Sequence, residues 1–100
     1  MVKHIVFWRL RKELTAAERE AAYQRFKAGF EALQGKIAGL RTMEIGKNYG
    51  QGPDAADIVL YSEFESREAV VGYETHDLHT ALVPMVREVR TEKRVVDFEL

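Results

Sequence analysis

The alternation of apolar and polar positions divides the chain into six elements. From Val2 to Leu10 most residues are β-branched, aromatic or otherwise apolar, which predicts a strand. Val2, His4, Val6, Trp8 and Leu10 share one side of it, while Ile5 and Phe7 lie on the other between Lys3 and Arg9, so both sides need cover. Thr15 followed by Glu18 has the spacing of a capping box. Beyond it Tyr23, Phe26, Phe30, Leu33 and Ile37 recur at three- and four-residue steps, marking one face of a long amphipathic helix. That helix is expected to close between Gly35 and Gly39, because glycine tolerates the left-handed backbone of a helix end.

A second strand is predicted around Leu40 to Lys47, a glycine-rich loop over Gly46 to Pro53, and a third strand over Asp57 to Phe64. Ser66 is the N-cap expected for a short helix from Arg67 to about Glu74. A further helical stretch from about Leu78 to Val89 should be bent or shortened by Pro84. Arg94 to Leu100 reads as a fourth strand with Val96, Phe98 and Leu100 on one face.

Strand, helix, strand, strand, helix, strand is the split βαβ order of ferredoxin-like α+β domains, in which helices cover one face of a four-stranded antiparallel sheet. One hundred residues make a single domain, spanning 1–100, and supply no second layer for the other face. A second copy of the same sheet, packed face to face about a two-fold axis, is the expected cover, so the chain is predicted to form a homodimer.

Charge and composition narrow the function. Fifteen basic and sixteen acidic side chains leave a formal charge of −1, which offers no field to hold a polyanion, so nucleic-acid binding is not expected. Apolar runs such as Ile5-Val6-Phe7-Trp8 fall far short of the ~20 residues that span a bilayer, and Lys3 leads straight into a strand rather than a secretion signal. Zero cysteines fit a cytoplasmic protein. There is no phosphate-cradling glycine loop or nucleotide fingerprint, and no cofactor is expected.

Candidate chemistry gathers in Tyr73-Glu74-Thr75-His76-Asp77-Leu78-His79. A phenol and two imidazoles within seven residues can donate, accept and transfer protons near neutral pH, and the chain holds one other histidine, His4. A neutral imidazole at His79 could take a carbon-bound proton beside a carbonyl if Tyr73 hydrogen-bonds the enolate. The competing reading is that His79 sits in the first turn of the last helix and Tyr73 fills space. His76 is the weaker candidate, since a histidine just after a short helix often serves as a C-terminal cap or a solvated turn residue. His4 shares its strand face with Val6 and Trp8 and is either a buried structural histidine or a pocket residue. The three histidines do not suggest a metal site, since no carboxylate beyond Asp77 is placed to complete one. Aromatics at strand or helix spacing, Trp8, Tyr23, Phe26 and Phe30, are mostly core, and Arg9, Arg11 and Lys12 read as a solvated loop.

The opening Val2-Lys3-His4-Ile5-Val6, the third strand running into Phe64-Glu65-Ser66, the Tyr73-x-x-His76-x-x-His79 cluster and the closing Val95-Val96-Asp97-Phe98 together resemble the stress-responsive dimeric α/β-barrel family, or Dabb domain. The resemblance implies a dimeric α/β barrel. By likeness to a cofactor-free plant polyketide cyclase of the family, it also implies His79 as base and Tyr73 as its polarising partner. It further implies a pocket lined by His4, Val6, Trp8, Tyr23 and Phe26, with His76 in support, for a small apolar or carbonyl-containing ligand. Phe30 and Leu33 would pack deeper. Asp77 departs from the family pattern, which commonly has proline there. Aspartate can instead cap the following helix or hydrogen-bond an imidazole. Two other functions suit the same fold: a non-catalytic stress-responsive homodimer that binds a small apolar ligand, and a cofactor-free monooxygenase or isomerase.

Overall fold

The computed structural model describes all residues from Met1 to Leu100. Its elements are β1 (Val2–Leu10), α1 (Ala16–Glu31), β2 (Leu40–Lys47), β3 (Ile58–Phe64), α2 (Arg67–Thr75), α3 (Asp77–Thr80), α4 (Val83–Val89) and β4 (Arg90–Glu99). The strands form one antiparallel sheet in the order β2-β3-β1-β4. This is the ferredoxin-like arrangement. No helix is long and apolar enough to cross a membrane.

Period-two alternation assigns the faces. Val2, His4, Val6, Trp8 and Leu10 of β1 are buried on the helix-covered side, and the first four pair with Phe64, Ser62, Leu60 and Ile58 of β3. Ala22, Phe26 and Phe30 of α1, Val70 and Tyr73 of α2, and Val86 and Val89 of α4 close over them as one core. The intervening residues of β1 pair across the other face: Lys3 with Glu63, Ile5 with Tyr61, and Phe7 with Val59. No helix lies on that face. β4 is exposed along almost its whole length.

Local chemistry sets the boundaries. Thr15 accepts from the Glu18 amide at 3.1 Å and Glu18 returns a carboxylate to the Thr15 amide at 2.8 Å, the expected capping box. Regular helix ends at Glu31, earlier than the expected stop between Gly35 and Gly39. The Glu31 carboxylate and Gln34 side-chain oxygen accept from the amides of Ile45 and Met43 at 3.0 Å, satisfying donors on the outer edge of β2. Leu33 and Ile37 are still buried, but from a tight turn that follows the helix. Gly39 within it has φ near +80°, and a Cβ there would lie 2.5 Å from the Ala69 Cβ of α2.

The last predicted helix is two. Pro84 lies at the start of α4, where its missing amide costs nothing, so it begins a helix rather than bending one. β4 begins at Arg90 rather than Arg94, because the polar run from Arg90 to Lys93 continues the pairing with β1: Lys93 stands opposite Trp8, Glu92 opposite Arg9 and, past a register shift, Arg90 opposite Leu10. Such a run carries no apolar alternation, and only the ladder makes it a strand.

Candidate functional site

Tyr73 lies on the inner face of α2, almost fully buried. Ser66 caps the start of that helix by accepting from the Ala69 amide at 3.1 Å. The chain then turns sharply, because His76 caps α3 by accepting the Leu78 amide on its Nδ1 at 3.0 Å. This turn brings the His79 ring to 4.4 Å from the Tyr73 ring, centroid to centroid.

The tautomer of His79 follows from its partner. Nδ1 lies 3.0 Å from the backbone carbonyl of Glu74, which can only accept, so Nδ1 carries the proton. Nε2 is left as a proton acceptor on a half-buried ring. Burial is the main cause that pulls His79 below its ordinary 6.5. The bond to Glu74 opposes it, and the Lys93 ammonium adds to the lowering. Burial, followed by the Glu74 carboxylate, pushes the Tyr73 phenol well above its ordinary 10.0 and holds it as a donor. At neutral pH the pair is therefore an unprotonated base beside a protonated phenol.

His4 completes the group from β1. It is 4% exposed, and its Nδ1 lies 2.5 Å from the Asp97 carboxylate on β4, its cross-strand partner. Its ring meets Tyr73 edge-on at 5.8 Å and Phe64 at 6.2 Å. Nothing in the amino-acid pattern alone assigned a role to Asp97. The available signal was register: if β1 and β4 pair antiparallel with Val2 opposite Glu99, His4 must stand opposite Asp97.

These groups enclose a cavity of about 40 Å³ lined by His4, Val6, Trp8, Phe30, Tyr73 and His79, with Lys93 at its border. A second cavity of about 60 Å³ lies on the other side of His79 and shares Trp8, Phe30 and Lys93 with the first. The largest depression, about 660 Å³, is elsewhere, around Phe7, Gly46, Val59 and Arg94, and no histidine lines it. The smaller spaces are the ones that His79 borders, with His4 and Tyr73 on the first of them.

His4, Val6, Trp8, Tyr73 and His79 thus meet at one place. Tyr23, Phe26 and His76 do not. Tyr23 lies nearer the start of α1, with the Lys47 ammonium 5.5 Å above its ring. Phe26 is fully buried with its edge against Trp8 at 5.1 Å. The next residue on that helix face, Phe30, approaches His79 at 6.4 Å and lines both cavities, so the wall expected of Phe26 falls to Phe30 one turn later. His76 is occupied as a helix cap. Arg9 bonds the Pro53 carbonyl, and Arg11 bonds the Glu88 carbonyl at 2.9 Å, so this pair of cations does not converge on a shared site. No group of three or more His, Asp or Glu side chains is arranged to hold a metal ion.

The architecture defines a ferredoxin-like α+β domain with a tyrosine and two histidines gathered between its sheet and its helices. The chain belongs to the stress-responsive α/β-barrel family, Dabb, whose sequence profile matches residues 2–100. No curated protein sequence matches it. Among solved structures it is similar to a dimeric ferredoxin-like protein of unknown function from Bacteroides fragilis, with 35% identity, a TM-score of 0.89, and 99% of this chain and 95% of that chain covered. The fold is also shared with hydroxynitrile lyase from Passiflora edulis, at 16% identity and a TM-score of 0.79, covering 99% and 92% of the two chains. It is shared too with a putative antibiotic biosynthesis monooxygenase from Nitrosomonas europaea, at 15% identity and a TM-score of 0.78, covering 100% and 98%. At these lower identities the likeness is one of fold alone.

Proposed function

We propose that this protein is a cofactor-independent acid–base enzyme acting on a compact, enolisable carbonyl compound. The observation that carries this reading is the His79 ring, whose Nδ1–H is committed to the Glu74 carbonyl while the rest of the ring borders both cavities beside a protonated Tyr73. Nε2 takes the proton from the carbon next to the carbonyl, and the electron pair of that C–H bond moves onto the carbonyl oxygen. The Tyr73 hydroxyl donates a hydrogen bond to the resulting enolate. The imidazolium then returns its proton to carbon, or the enolate carbon attacks a second carbonyl, whose C=O electron pair moves onto its oxygen, and the imidazolium gives its proton to that alkoxide. His4, oriented by Asp97, lines the opposite wall. The volumes of about 40 and 60 Å³ favour a small substrate over a long polyketide chain.

The working unit in this reading is a homodimer closed through the open sheet face. The apolar stripe Ile5, Phe7, Val59, Tyr61, Val96 and Phe98 supports it, as does the similar Bacteroides fragilis protein described as dimeric.

Deuterium exchange at the α-carbon of a panel of small ketones and aldehydes in heavy water tests the chemistry. His79→Ala should abolish catalysed exchange, and Tyr73→Phe should slow it by roughly 10²-fold, the loss of one oxyanion donor. Exchange by His79→Ala at the wild-type rate would remove His79 as the base.

A further inference from the structure

We propose that the cavity on the α4 side of His79 is a carboxylate subsite, so that the substrate is a small carbonyl acid with an apolar body. The proposal rests on the reading of His79 as a base and adds the class of compound it acts on. Arg87 of α4 and Arg90 and Lys93 of β4 line the cavity of about 60 Å³ together with Trp8, Phe30 and His79. None of these three cations takes part in any of the chain's ion pairs, although seven other lysines and arginines do. Glu74 is the one acidic side chain bordering the adjoining cavity, and it forms no ion pair with Lys93.

Three cations held together without an acid repel one another, and an arriving anion relieves that repulsion. The two arginines add planar donor forks that fit a carboxylate. Lys93 borders both cavities, so an anion bound there places the adjoining carbon skeleton against Trp8 and Phe30 and within the space beside Tyr73. Together the two cavities hold roughly seven to ten water-sized groups at ~10–15 Å³ each, which suits a short branched acid.

Register also keeps the cluster accessible. Lys93 pairs with Trp8 and Arg90 with Leu10, which puts both on the helix side of the sheet, away from the face assigned to the partner copy. The basic group at the end of β1 is instead occupied, Arg9 by the Pro53 carbonyl and Glu92, and Arg11 by the Glu88 carbonyl.

The chain's single tryptophan, Trp8, borders both cavities and supplies the readout. Trp8 fluorescence is titrated with 4-methyl-2-oxopentanoate and with the isosteric neutral amide, up to about 10 mM, the range of weak specific binding. The acid is expected to bind at least about tenfold tighter than the amide, an advantage that shrinks with added salt. In the Arg87→Gln/Arg90→Gln/Lys93→Gln variant, and partly in Lys93→Gln alone, that advantage should disappear. Equal binding of acid and amide by the wild-type protein, no saturable response to the acid, or an undiminished preference in the triple variant would each overturn the subsite. Deuterium exchange at C3 is followed in the same samples. Preferential acid binding without exchange defeats the proposed base and leaves the subsite standing, whereas exchange without any acid preference does the reverse.

Discussion

The two faces of the sheet come from the same strands and differ in how they treat polar groups. On the covered face, His4 and Ser62 are the buried polar residues, and each is tied: His4 to Asp97 at 2.5 Å, Ser62 to the His4 carbonyl at 2.6 Å. On the open face Lys3 donates to Tyr61 at 2.5 Å and to Glu63 at 2.6 Å, and Tyr61 donates to Glu63 at 2.6 Å, between Ile5, Phe7 and Val96. The covered face keeps few polar groups and sets His4 on the wall of a cavity, which suits chemistry. The open face pairs its charges among themselves and leaves apolar side chains around them, which suits burial against another protein surface without orphaned charges. One alternating strand, β1, serves both purposes because successive side chains point opposite ways.

Two phenylalanines test the contrast most directly. Phe26 is fully buried, whereas Phe7 is 39% exposed. Phe26→Ala should lower unfolding free energy by about 3–5 kcal/mol, the cost of lost burial plus a cavity. Phe7→Ala should cost about 1 kcal/mol or less at dilutions where the chain is monomeric. Urea titration of both variants measures the difference, and equal losses would mean that the open face is already part of a core.

A charge on the open face sharpens the same point. Phe7→Asp should leave the monomer's fold intact while converting dimers to monomers in sedimentation at micromolar concentration, because an unpaired carboxylate in a closed sheet–sheet interface is heavily penalised. A Phe7→Asp protein that sediments like wild type would mean that copies meet elsewhere, for instance along the free edge of β4.

How far these features were legible in the sequence depended on whether local rules governed them. The β1 alternation, the Thr15–Glu18 box and the Ser66 cap are local, and each appears where its pattern predicted. The early stop of α1 was hidden because Glu31 and Gln34 spend their side chains on β2, a partner distant in sequence. β4 was read four residues short because Arg90 to Lys93 is a strand only through its ladder with β1. In the site, the Tyr73–His79 spacing was visible, but two consequences of register were not. Asp97 enters as the partner of His4, and Lys93 as the neighbour of Trp8, only once β1 and β4 are aligned. Phe30 replaced Phe26 on the cavity wall for a similar reason, since the helix face was clear but its height over the sheet was not.

The smallest effect expected is the one that links the covered face to the cations at its rim. Burial first, and Lys93 among the further causes, hold His79 below 6.5 in the folded chain, while the unfolded chain titrates near that ordinary value. Below 6.5 the unfolded state therefore binds the proton more readily, so the folded state keeps its full stability above 6.5 and loses part of it as pH falls from 6.5 through the folded midpoint. An NMR titration of the ring should give a midpoint for His79 below 6.5, and the acid limb of the stability profile should flatten in His79→Gln. Lys93→Gln should move the His79 midpoint upward, because it removes one positive charge while leaving the burial and the Glu74 bond in place. The acid limb of any catalysed exchange should move upward with it, since the same nitrogen must be free to accept the proton. A midpoint unmoved by Lys93→Gln would show that the ammonium is screened from the imidazole, which would separate the rim from the base and weaken the case that one ligand spans both cavities.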